Sequence, residues 1–211
     1  NWIGKSSGVE IIFKVKNSKH SIKVYTTRAD TLLGAQALVL APTHPICLEQ
    51  AKTNAGLAQQ LDQLSTSGVS EAEIEQQEKK GVPIGLDATC PISGKSIPVW
   101  AGNYVLMDYG HGAVIMVPAH CERDFAFAKT YNLPVQPVID SGTQHDYSTA
   151  AMTDKGVLFN SLHLDGMKSD KAIEEIASEL EGKRLGKALS QYRLRDWGLS
   201  RQRYWGCPIP I

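Results

Sequence analysis

The stretch Y-G-H-G-A-V-I-M-V-P-A-H-C-E-R-D-F-A-F-A-K-T-Y, Tyr109 to Tyr131, decides how the rest of the chain is read. Gly110 and Gly112 predict a tight turn, Ala113 to Val117 a short buried strand, and Pro118 its stop. A helix is predicted from Cys121 to Tyr131. Phe125, Ala128 and Tyr131 recur there at helical spacing, and Glu122 and Asp124 fall in the first turn, where the positive end of the helix dipole stabilises carboxylates. A strand, a turn and a helix start bring free backbone N–H groups together with His120, Glu122, Arg123 and Asp124, a good place for a ligand. On spacing alone a plainer reading, in which the carboxylates are ordinary capping residues, stands ahead of the catalytic one.

Upstream, Val9–Val15 and Ile22–Thr26 predict a hairpin that turns at Asn17–Ser21 and delivers the polar run T-T-R-A-D-T at 26–31. That run offers hydroxyls, a fixed cation and a carboxylate in one loop. Thr and Asp also stabilise turns, so a structural reading stands beside the functional one. Leu32–Ala41 predicts an apolar strand stopped by Pro42, Pro45–Leu64 helical structure, and Ser70–Lys80 a charged surface helix whose acidic-then-basic order complements its dipole. From Gly81 to Val105, apolar pieces alternate with Gly, Pro and Ser turns, the punctuation of a barrel or a curled antiparallel sheet. Downstream, Val135–Ile139 and Leu158–Asp165 read as extended, Asp140–Thr149 as a polar loop and Ser169–Leu180 as a capped helix.

The 211 residues are enough for one domain with a full core. Lys+Arg 22 against Asp+Glu 22 leaves no net charge, so no global basic field serves nucleic acid and any phosphate contact must be local. Cys47, Cys90, Cys121 and Cys207 form no C-x-x-C pair and no zinc spacing, which predicts neither a disulfide framework nor a metal site but reduced thiols in a cytosolic protein. There is no signal peptide and no apolar run near membrane-spanning length. The start at Asn1-Trp2 without an initiator Met suggests a piece of a larger protein. At the other end, Arg193, Arg195, Arg201 and Arg203 alternate with Tyr192, Trp197, Tyr204 and Trp205. Such a tail fits stacking on nucleic acid or the edge of a neighbouring domain.

Four stretches in order resemble the editing domain of bacterial-type leucyl-tRNA synthetase, a large insertion in a class I synthetase: N-W-I-G-K-S at 1–6, T-T-R-A-D-T at 26–31, Y-G-H-G-A-V-I-M-V-P-A-H-C-E-R-D-F at 109–125 and R-D-W-G-L-S-R-Q-R-Y-W-G at 195–206. The resemblance implies an α+β fold, a closed β-barrel core flanked by helices, spanning 1–211 as a single editing domain. Segments 1–8 and 192–211 would join it to the synthetase catalytic domain.

The function implied is hydrolysis of the aminoacyl ester of mischarged tRNA(Leu), such as the isoleucyl or norvalyl ester, with leucyl-tRNA(Leu) spared as in a second sieve. Carried over by position, Asp124 holds the substrate's α-ammonium, and Thr26, Thr27 and Arg28 line the pocket and help place the attacking water. Thr31 excludes leucine. Leu106, Tyr109, Ile115, Val117, His120 and Arg123 sit around the ester and the ribose. The implied partners are the 3′-terminal adenosine and aminoacyl group of the tRNA and the synthetase catalytic domain, in the cytoplasm. No metal or organic cofactor is expected in this domain, ATP and Mg belonging only to the catalytic domain. The chain departs from the family's usual residues at Cys121 (Asp), His111 (Thr), Ala29 (Pro) and Ile115 (Met). Two rivals remain: a module that binds the tRNA end or a protein without hydrolysis, and a cysteine hydrolase using Cys121 and His120.

Overall fold

The structure, a computed structural model, describes residues 3–65, 78–107, 110–194, 203–204 and 207–208. Its main sheet has seven strands: β1 (Ile3–Val15), β2 (Ser21–Thr26), β3 (Ala37–Leu40), β4 (Gly81–Thr89), β5 (Ser96–Gly102), β6 (Ala113–Met116) and β9 (Gly186–Leu194). The order is β2-β1-β4-β5-β3-β6, with β9 on the first nine residues of β1 along the edge that β4 shares. β5 and β3 are parallel and every other pair is antiparallel. Two-residue pairs add β7 (Ile139–Asp140) with β8 (Val157–Leu158), and β10 (Arg203–Tyr204) with β11 (Cys207–Pro208). The helices are α1 (Pro45–Ala51), α2 (Ala55–Ser65), α3 (Glu122–Thr130) and α4 (Ser169–Gly182).

The α+β class is as expected, but the closed barrel is not found. The sheet is open and mixed: it curls until β2 and β6 lie against each other, with no ladder between them among the described residues. Tracing direction through four antiparallel steps and one parallel step leaves β2 and β6 pointing the same way. The segments that follow them, the 3₁₀ turns Ala29–Gly34 and Pro118–His120, emerge at one rim and touch.

Alternation explains the core. Val9, Ile11, Phe13 and Val15 of β1, with Ile22 and Val24 of β2, face one buried interior, which α2 and α4 cover with Leu57, Leu61, Ala172, Ile176 and Leu180. β3 is buried on both faces. Leu38 and Leu40 join that interior, while Ala37 and Val39 join a second cluster with Trp100, Tyr104, Met116 and Phe127, which carries α3. Edge-to-face packing of Trp100 and Tyr104 on Phe127, with ring centroids 5.6 Å apart in both pairs, seats α3 on the sheet.

Local expectations needed correction where tertiary contacts overrode pattern. β1 starts six residues before Val9, because a backbone ladder to β9 outweighs the turn-forming composition of that stretch. Of Leu32–Ala41 only Ala37–Leu40 is strand, since a wholly buried apolar run carries no period to tell strand from turn. Pro45–Leu64 is two helices, the second opened by Asn54, whose side chain accepts the Leu57 N–H at 3.1 Å. Val135–Ile139 and Leu158–Asp165 are strand only at Ile139 and Leu158, and Leu162–Leu164 is a 3₁₀ turn. Ser169 does not cap α4; its hydroxyl accepts the Gly156 N–H instead. Residues 70–77 of the predicted charged helix lie outside the described residues, and Glu78–Lys80 are not helical.

Candidate active site

At the shared rim, β2 gives way to the threonine run. Thr26 Oγ1 accepts the Arg28 N–H at 3.0 Å, a short turn that leaves the hydroxyl proton of Thr26 free to donate. Thr27 is exposed and has no hydrogen-bond partner among the described residues. Thr31 is buried and gives its hydroxyl to the Arg28 carbonyl at 2.8 Å, so its other branch is the γ-methyl. Gly34, at the end of the same turn, sits in close approach to its neighbours. A Cβ there would lie 3.0 Å from the Gln136 carbonyl and 3.2 Å from Val117.

Arg28 is fully engaged. Its Nε and Nη2 bond to both oxygens of Asp30, whose side chain is 0% exposed, and Nη1 and Nη2 reach the carbonyls of Thr153 and Asp154 at 2.7 and 3.4 Å. The resemblance puts Arg28 on the substrate; here it rivets the loop to the segment 152–154.

His120 is the matching rivet on the other side of the rim. The Val138 N–H donates to Nε2 at 3.0 Å, which fixes the neutral tautomer, so Nδ1–H donates to the Met152 carbonyl at 2.9 Å. Burial holds its pKa below the ordinary value. Both nitrogens are used, leaving none to act on a substrate or on Cys121. Met152 N–H also donates to the Ala119 carbonyl at 2.9 Å, so Met152–Asp154 staples the two motif loops together. No local pattern marks that segment as part of a site, because its role is made of main-chain carbonyls reached from 32 and 125 residues away.

Asp124 sits in the first turn of α3, and its side chain is 2% exposed. Its Oδ2 accepts the Val117 N–H at 2.9 Å, which ties α3 back to the strand it follows, and Oδ1 takes Arg123 Nε and Nη2, both at 3.0 Å. The guanidinium of Arg123 lies 4.8 Å above the Tyr104 ring. Cys121 is the N-cap residue of α3 but makes no capping bond, and burial pushes its thiol pKa up, the opposite of an activated nucleophile. Leu106 is half-buried against the second cluster, Ile115 half-buried against the main core, and Val117 buried within that core. His111 takes a left-handed φ of 67° and meets Glu10 at 3.0 Å. Tyr109 and Arg195–Gly206 lie outside the described side chains.

The structure therefore brings the loop of Thr26, Thr27, Arg28 and Thr31 against the turn of Val117 and His120 at one rim, with Arg123 and Asp124 in the first turn of the helix that follows. It offers a buried carboxylate already holding a cation, free hydroxyls and, among the described residues, no activated nucleophile. Among the described residues no cluster of His, Cys, Asp or Glu could hold a metal, and no helix is long and apolar enough to cross a membrane.

The family profile for the leucyl-tRNA synthetase editing domain matches residues 1–181. Leucine–tRNA ligases are 49% identical in Sodalis glossinidius and 50% identical in Legionella pneumophila, each over 100% of this chain. The chain spans 25% and 26% of the length of those two relatives. A crystal structure of a ternary complex of Agrobacterium radiobacter LeuRS, tRNA and LeuAMS superposes with a TM-score of 0.72 at 32% identity, covering 93% of this chain and 21% of that one. With the motifs of both rim loops, the buried carboxylate and a profile match over most of its length, this chain belongs to the leucyl-tRNA synthetase editing-domain family.

Proposed function

We propose that this chain hydrolyses the aminoacyl ester of mischarged tRNA(Leu), isoleucyl and norvalyl among them, and spares leucyl-tRNA(Leu). The observation that carries the reading is Asp124, a buried carboxylate anchored on one oxygen by backbone and occupied on the other by a cation. That is what an α-ammonium needs: a fixed, desolvated counter-charge whose loss costs about 1.5–3 kcal/mol. The hydroxyls of Thr26 and Thr27 orient water on the ester carbonyl, a contribution of positioning. Thr31 presents a buried methyl where leucine's extra γ-branch would go. Leu106, Tyr109, Ile115 and Val117 form the apolar surround, with Arg28 and His120 building the rim beside the ester and the ribose.

The reaction needs water and these side chains, with no metal or organic cofactor. Closure of the curled sheet into a barrel, and attachment through 1–8 and 192–211 to a synthetase catalytic domain in the cytoplasm, complete the proposal. Deacylation of isoleucyl- and leucyl-tRNA(Leu) by the 211-residue chain tests it. Release of isoleucine but not leucine, lost in Asp124→Asn with the fold kept, is the expected result. Tight binding of both tRNAs without hydrolysis would show a binding module instead.

A further inference from the structure

The Arg123–Asp124 pair is unequal in a way that bears on how a substrate gets in. Oδ2 of Asp124 is held by the Val117 main chain at 2.9 Å, which cannot leave, whereas Oδ1 is held at 3.0 Å by a side chain that can. Exposure divides in the same sense: Asp124 is 2% exposed and Arg123 37%, so the guanidinium is the solvent-facing member of the pair. Arg123 makes no other hydrogen bond among the described residues and rests on the Tyr104 ring. Tyr104 is itself buried, and its hydroxyl finds no partner among the described residues. A buried phenol without a protein partner is open to one further donor or acceptor.

We propose that Arg123 is an internal stand-in for the substrate's α-ammonium: it holds Oδ1 of Asp124 until an ammonium replaces it, then moves along the Tyr104 ring to the unpartnered hydroxyl. The inference rests on the reading of Asp124 as the ammonium's partner. Two cations cannot share one carboxylate oxygen without repulsion, so binding is an exchange of one charge-assisted contact for another. The exchange selects its substrate class. An acyl group with a free α-ammonium displaces the guanidinium, and one whose α-nitrogen is acylated or replaced by a hydroxyl has nothing to displace it with. Arg123 is then an affinity-setting residue whose presence weakens binding while keeping the buried carboxylate neutralised.

The test uses the 211-residue chain and two non-hydrolysable 3′-amide analogues of the terminal adenosine, one isoleucyl and one its α-hydroxy counterpart. Arg123→Gln should lower Kd for the isoleucyl analogue by roughly tenfold and leave the hydroxy analogue nearly unchanged. Tyr104→Phe, which keeps the ring but removes the acceptor, should raise Kd for the isoleucyl analogue alone. A rise in Kd for both analogues in Arg123→Gln, or no change in either, overturns the proposal, since a direct substrate contact or a purely structural arginine gives those results. Arg123→Lys, which keeps a cation but loses the fork, gives a smaller shift of the same sign and serves if the glutamine variant does not fold. Asp124→Asn separates the two readings. If it keeps the preference for the amine analogue, the assignment of Asp124 fails and this inference with it. If it loses the preference while Arg123→Gln binds no tighter, only the stand-in fails.

Discussion

The rim holds two arginine–aspartate pairs that look alike in sequence and differ in kind. Arg28–Asp30 and Arg123–Asp124 each bury the carboxylate, at 0% and 2% exposure, beneath a partly exposed guanidinium. Arg28 grips both oxygens of Asp30 and spends its remaining reach on two carbonyls of a distant segment. Arg123 grips one oxygen of Asp124 and otherwise lies on a ring. The first pair is a rivet whose every bond is to something fixed. The second leaves its cation exchangeable. The partners of the guanidinium, more than the burial of the carboxylate, distinguish a structural ion pair from a binding one.

Truncating the two arginines in turn should separate the pairs. Arg28→Ala leaves Asp30 buried without a counter-charge and releases the carbonyls of Thr153 and Asp154, so it should lose about 3–5 kcal/mol of stability in urea unfolding. Arg123→Ala should lose clearly less, because removing the outer member of the pair lets water reach Asp124. Equal losses would mean that both pairs are rivets.

A second variant sharpens the role of the loop that Arg28 holds. Thr31→Ala removes a buried methyl, together with a hydroxyl bonded inside the protein. The pocket should then admit leucine, and leucyl-tRNA(Leu) should be deacylated at a rate that closes a gap of about 1–3 kcal/mol, while isoleucyl-tRNA(Leu) is still cleaved. An alanine variant that still spares leucyl-tRNA(Leu) places the sieve elsewhere.

His120 ties the Asp124 loop to the staple only when neutral, and this gives a pH signature. Burial lowers its folded pKa below the unfolded value, so its contribution is complete above about pH 6.5 and is lost as pH falls through that value towards the folded one. The Tm of the protein should drop between pH 7 and 5 by more than that of His120→Gln, which has no such proton to take up. His120→Ala should cost about 1–3 kcal/mol at pH 7, from the Val138 N–H and Met152 carbonyl left unpaired.

The smallest effect is expected at Cys121. Its thiol is half-buried, makes no capping bond and is held protonated, so Cys121→Ser should change stability by no more than about 0.5 kcal/mol and leave deacylation as it was. A large loss of rate with the fold intact would reopen the cysteine-hydrolase reading, which the hydrogen bonds on both ring nitrogens of His120 otherwise oppose.

Elements whose signal is local and periodic are legible in the chain alone: the β1–β2 hairpin through its alternation, α3 through Phe125, Ala128 and Tyr131, α4 through its amphipathic run, and the two loops as places where chemistry-bearing residues collect. The family is legible there too, because four ordered motifs are specific where each alone is not. Tertiary structure decided what the polar residues of those motifs do. Nothing local tells that Arg28 faces carbonyls of Thr153 and Asp154, or that His120 spends both nitrogens on Met152 and Val138, since these bonds join segments that only the curl of the sheet brings together. The same holds for the open edge between β2 and β6. Closure of a barrel depends on strand length and register summed over the whole sheet, and no window of sequence contains that sum.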